Sequence, residues 1–136
     1  MPITLVKQYS IFLVNQPGAL RDFSELFQRE NVDIIAICQD LRYDAAVVRI
    51  AIDTQDESIS HSLTKAGFTS VKSDAICVET KNSKGLLQKI GKILGDEHIN
   101  ITNVYGSDSP SGHSKLIVVV NNICKAMRTL EESGIS

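Results

Sequence analysis

The stretch Asn15-Gln16-Pro17-Gly18-Ala19-Leu20 decides how the chain is read. It follows an apolar run, Ile11-Phe12-Leu13-Val14, and opens a segment whose apolar residues recur at helical spacing. Proline suits the first turn of a helix, and glycine lets a ligand come close to the backbone. A helix begun there leaves its first N–H groups without intrahelical acceptors and carries a partial positive charge at that end. The stretch is either a plain strand-to-helix turn or a cradle for a carboxylate or phosphate.

Repetition gives it weight. An offset of 67 positions joins Asn15 to Asn82 and Gly18 to Gly85, in Asn82-Ser83-Lys84-Gly85-Leu86-Leu87. The same offset joins Glu30-Asn31-Val32-Asp33-Ile34 to Glu97-His98-Ile99-Asn100-Ile101, Leu63 to Leu130, and Gly67 to Gly134. A constant spacing across separated landmarks marks an internal repeat. The chain is two copies of one unit, expected over residues 1–73 and 74–136.

At 136 residues there is enough chain for one ordinary domain or two small ones. An apolar content of 43% and a charged content of 22% are those of a globular protein. A net charge of −2 and the lack of any basic run give no sign of a nucleic-acid or membrane partner. No apolar stretch approaches the roughly 20 residues that span a bilayer, and the N-terminus has no signal-peptide pattern. Cys38, Cys77 and Cys124, odd in number and widely spaced, read as reduced, mostly buried thiols of a cytoplasmic protein.

In chain order, residues 8–14 read as a strand, with Tyr9, Ile11 and Leu13 on one face and Phe12 and Val14 on the other. A helix follows over 18–30, with Leu20, Phe23, Leu26 and Phe27 on its apolar stripe. Strands at 32–39 and 45–53, a helix at 56–66 ended by Gly67, and a short strand at 68–73 complete the first copy. The second copy offers a strand at 75–81, a helix at 85–96 with Leu86, Leu87, Ile90, Ile93 and Leu94 apolar, strands at 99–106 and 114–121, and a helix at 122–133. Each unit is an α+β, ferredoxin-like βαββαβ arrangement of antiparallel strands with helices on one face. The second copy stops before its fourth strand. Its edge is then exposed, or covered by another chain or by the N-terminal residues.

With N-x-P-G-x-L at the first strand-to-helix turn and an Asp-Ile or Asn-Ile at the start of the second strand, each unit resembles the ACT domain, a family of small amino-acid-binding regulatory modules. The resemblance covers residues 8–134 and implies a stand-alone tandem ACT protein with no catalytic domain. It also implies a ligand held between two adjoining modules, gripped by the turn of one and the second-strand start of the other. The positions implied are Asn15, Gln16, Pro17, Gly18, Ala19, Leu20, Asp33 and Ile34 in the first copy, and Asn82, Gly85, Leu86, Asn100 and Ile101 in the second. Asn15 would face Asn100, and Asn82 would face Asp33. The first pairing keeps every matching residue, because the second turn has Lys84 in place of proline. The residue chemistry agrees: turn amides suit a carboxylate, and an Asn side chain both donates and accepts, so it bridges the ends of a zwitterion. Helix capping by Asn15 and Asn82, and an exposed strand end at Asn100, are the structural alternatives.

Other chemistry is weak. His61, His98 and His113 have no ligand spacing to Cys or carboxylate pairs, so no metal site is expected. Gly85 to Lys92 departs from a phosphate loop in spacing and in the residue after the lysine. No nucleophile motif appears, so neither catalysis nor a cofactor is expected. Two functions remain: an amino-acid sensor, or a non-catalytic regulatory subunit that binds a metabolic enzyme, similar to the acetolactate synthase small subunit. Phe12, Val14 and the unmatched edge favour a homodimer.

Overall fold

A computed structural model describes residues 3–14, 17–42, 45–52, 58–80, 85–108 and 114–134. The elements run β1 (Ile3–Val14), α1 (Ala19–Arg29), β2 (Ile34–Arg42), β3 (Ala45–Ile52), α2 (Ser58–Lys65) and β4 (Thr69–Thr80). They continue with α3 (Leu86–Asp96), β5 (Ile101–Asp108), β6 (Ser114–Val120) and α4 (Ile123–Glu132). The protein is α+β, with six strands and four helices among the described residues forming two tandem ferredoxin-like units. One compact unit is residues 6–73, and the other joins residues 1–5 to 74–136.

In the first unit the strand order is β2-β3-β1-β4. The alternation of β1 sends Tyr9, Ile11 and Leu13 inward, opposite Ile50, Val48 and Ala46 of the antiparallel β3. Helix α1 closes this face with Phe23, Leu26 and Phe27, and α2 with Ile59 and Leu63. The Phe23 and Phe27 rings meet edge to face at 5.2 Å, and Phe68 adds a second edge contact to Phe23 at 6.4 Å. A hydrogen bond of 2.7 Å from the Ser62 hydroxyl to the Glu30 carboxylate ties α2 to the end of α1.

The second unit repeats the plan with β6, β4 and β5 over α3 and α4. Ile76, Val78 and Val118 lie under Leu86, Ile90 and Leu94 of α3 and Ala126 and Leu130 of α4. Asn122 caps α4 by accepting from the Lys125 backbone N–H at 3.2 Å. The Lys125 ammonium donates to the carbonyl of Glu97 at 2.9 Å, where the end of α3 attracts a cation.

The repeat extends to the backbone. Among the described residues, every positive φ falls in a pair 67 apart: Gly18 and Gly85 at 88° and 78°, Asn31 and His98 at 55° and 59°, Gly67 and Gly134 at 92° and 62°. The bulges match as well, at Ile34/Ala36 in β2 and Ile101/Asn103 in β5. Two halves with different side chains bend in the same places.

Several expectations change. The strands read at 68–73 and 75–81 are one continuous β4, unbroken at Asp74. The strand read from residue 8 begins at Ile3, and β1 stands beside β4 in the strand order. Residues 1–5, assigned by sequence to the first unit, group with the second, where Ile3 packs on the core. The missing fourth strand is thus supplied by the N-terminal residues. Leu20 and Leu87, placed on the apolar stripes, are 46% and 56% exposed, because the residues just before them, Ala19 and Leu86, take the core-facing position of each first turn. Of the cysteines, Cys77 is buried, Cys38 half-buried and Cys124 exposed, all free. Residues 56 and 57, read as the start of the second helix, and His113 lie outside the described residues.

Ile3→Asp is expected to destabilise the protein by about 1–3 kcal/mol, through an unpaired polar group at the packed edge. Hydrogen exchange should show β4 amides at 76–80 losing protection before those of β3.

Candidate functional site

The two corners share one backbone design. Gly18 is the N-cap of α1 and Gly85 that of α3, both left-handed and neither with a side-chain cap. A side chain at a left-handed N-cap is disfavoured, so glycine fills the position and no capping oxygen takes up the first-turn amides. The carbonyl of Gly18 accepts from Asp22 N at 3.0 Å and that of Gly85 from Lys89 N at 3.1 Å, so both helices start without a break. Among the described residues no side chain caps either first turn, so each corner sets helix N–H groups at the positive end of a helix dipole, a setting suited to an anion.

The sequence-derived positions distribute as follows. Pro17 is exposed, Gly18 and Ala19 are half-buried, and Leu20 is exposed. Leu86 is 4% exposed and belongs to the core, whereas Leu87, outside the expected set, is the apolar side chain that faces out at the second corner. Asp33 and Asn100 are exposed, while Ile34 and Ile101 are half-buried against their own cores. Asn100 is held by its backbone: its N–H donates to the Asn121 side-chain oxygen and its carbonyl accepts from Asn121 N, both at 3.2 Å. Its side chain is left to face solvent. Asn15, Gln16 and Asn82 lie outside the described residues.

Strand register separates the two kinds of position within a unit. In the first, Val14 pairs with Ala45 at the corner end, while Ile34 and Lys7 both pair with Ile52 at the other. Seven residues of strand put those ends about 24 Å apart. The second unit behaves alike, with Thr80 opposite Ser114 at one end and Ile101 opposite Val120 at the other. Within one unit, no small ligand reaches both a corner and a second-strand start.

Sequence reading missed Arg21. Its Nη2 lies 3.1 Å from where a Cβ on Gly18 would stand, so the guanidinium lies over the first corner. Its Nε also contacts the Asp22 carboxylate at 3.4 Å, at an exposed site. A cation in a first helical turn opposes the helix dipole, and that mismatch is the signal that could have marked it. The equivalent residue in the second copy is Gln88, without charge. Among the described residues no group of three or more His, Cys, Asp or Glu is placed to hold a metal ion, and no helix is long and apolar enough to cross a membrane.

Two split βαβ units with matching glycine corners define a tandem of ferredoxin-like ACT modules. The family model described as "ACT domain pair" matches residues 4–136, and the chain belongs to that family. No curated protein matches the sequence. Among solved structures, protein BT0572 from Bacteroides thetaiotaomicron is similar at a TM-score of 0.86 and 23% identity, over 98% of this chain and 92% of that one. The regulatory subunit of aspartate kinase from Thermus thermophilus is similar at 0.67 and 11% identity, over 98% and 97%. Clostridium acetobutylicum aspartate kinase is similar at 0.58 and 16% identity, over 95% of this chain but 33% of that enzyme. At these identities the likeness is one of fold, shared with regulatory parts of aspartate kinases.

Gly18→Ala and Gly85→Ala are each expected to cost about 1–2 kcal/mol in denaturant unfolding, because φ stays positive. The two costs should be nearly equal, since the Arg21 tip is free to swing from an added Cβ.

Proposed function

We propose that this protein is a non-catalytic regulatory module that binds an amino acid or a similar small zwitterion at its glycine corners. The observation that carries the reading is the pair of left-handed, side-chain-uncapped glycines at the starts of α1 and α3. The ligand carboxylate takes the first-turn amides, and the α-ammonium takes an oxygen of Asn100 or Asp33 from a different unit. Asn15 and Asn82, beside the corners, bridge the two charges. Leu20 and Leu87 offer exposed apolar surface for the ligand's side chain. Arg21 favours the first corner as the stronger carboxylate site, since a guanidinium pairs with a carboxylate through two parallel bonds.

A second reading, an enzyme-binding subunit, draws on exposed Phe12, Ile37 and Val71 at 47%, 49% and 57%. Apolar side chains so exposed favour a protein partner when they cluster. The named regulatory subunits of aspartate kinase support the same idea.

A thermal-shift screen with the twenty amino acids tests the first reading. A ligand at 100 Kd should stabilise the protein by about 2.7 kcal/mol. Asn15→Ala and Arg21→Ala should each remove most of that shift while leaving the unliganded melting temperature nearly unchanged. If no amino acid raises the melting temperature, the sensor reading fails and the subunit reading stands.

A further inference from the structure

On α1, Glu25 and Arg29 stand one turn apart with the acid on the N-terminal side, the favoured order for an ion pair along a helix. Their counterparts 67 positions on, Lys92 and Asp96 of α3, have the less favoured order and still close, at 3.1 Å. Among the described residues, the Glu25 and Arg29 side chains make neither this ion pair nor another ion pair or hydrogen bond. Both instead line an open depression of about 600 Å³ that lies wholly within the first unit.

The walls of this depression are fixed by contacts beneath it. Leu26, buried on α1, and Phe68, half-buried after α2, give it an apolar floor, with Ala66 beside them. The Phe68 N–H donates to the Leu63 carbonyl at 2.9 Å, and its ring meets that of Phe23 edge to face, so the aromatic wall is held in place. The Ser62–Glu30 hydrogen bond of 2.7 Å holds α2 against the end of α1. A volume of this size, apolar below with a few polar groups at the rim, is that of a small-molecule site. The remaining charged lining residue, Asp22, already contacts the Arg21 guanidinium at 3.4 Å. The uncommitted charges are therefore one carboxylate and one guanidinium, on Cβ atoms about 5–6 Å apart. They complement a molecule with an ammonium and a carboxylate at one end and an apolar body at the other.

We propose that this depression is a further binding site of the chain, separate from the glycine corners, for an amino acid with an aliphatic or aromatic side chain. Glu25 accepts from the α-ammonium, Arg29 donates two parallel bonds to the carboxylate, and the side chain lies on Leu26, Ala66 and Phe68. All of these groups belong to the first unit, so the site is complete without the second. It stands whether or not a ligand binds at the corners.

The test uses the full chain with L-phenylalanine and L-leucine as probes, and phenethylamine and 3-phenylpropanoate as analogues that each lack one charge. Isothermal titration should show both amino acids binding, and amide NMR shifts should concentrate at residues 25–29 and 66–68. Each analogue should bind about tenfold or more weakly than phenylalanine, since one charge-assisted hydrogen-bond set is lost. Glu25→Gln and Arg29→Gln, both at exposed positions and checked for fold by circular dichroism, should each weaken phenylalanine by a similar factor. Asn15→Ala, at the first corner, should leave these shifts unchanged. Binding of neither probe overturns the proposal, as does phenethylamine binding as tightly as phenylalanine. Binding that either Gln variant leaves intact overturns it too; if Asn15→Ala abolishes that binding, the corner reading alone stands. Binding lost in both Gln variants and kept in Asn15→Ala supports the depression even where the corner reading fails.

Discussion

The structure turns on an unpaired sheet edge. A ferredoxin-like unit closes its core with four strands, and the second copy has only three of its own. An open edge on β4 would present a row of unsatisfied N–H and C=O groups and leave its core uncovered at one side. Residues Ile3–Leu5 stand at that position, and Ile3 packs on the second core. This need explains why β1 is 12 residues long, more than the first unit uses, and why its first residues are apolar. The sequence that precedes the first copy completes the second.

Duplication also separates what is fixed by the backbone from what side chains are free to change. Both corners keep a left-handed glycine, and both α1 and α3 are followed by a left-handed residue, Asn31 or His98, because the chain must reverse there whatever its side chains are. Around that frame the copies diverge. The first corner has Pro17 and an overlying Arg21; the second has Lys84 and Gln88. Equal backbone design with unequal charge nearby makes two corners of the same shape and different electrostatics.

Within a unit the corner and the second-strand start lie at opposite ends of the sheet, so neither unit holds a whole site of the ACT type.

The sequence by itself determined the duplication, the order of elements, the inward residues of β1, and the glycine corners. Those features follow from alternation, helical spacing and left-handed backbone, all of which are local. Leu20 and Leu87 fit the helical period yet face out, because period leaves the edges of an apolar stripe open and packing chose Ala19 and Leu86 as the core-facing residues. Tertiary structure alone decided that β4 runs unbroken through Asp74, that the N-terminal residues fill the second unit's edge, and that Arg21 lies over Gly18. A strand edge accepts any chain with free N–H and C=O groups, and a long side chain has many rotamers. Which of these is used is settled only when distant parts of the chain are packed together.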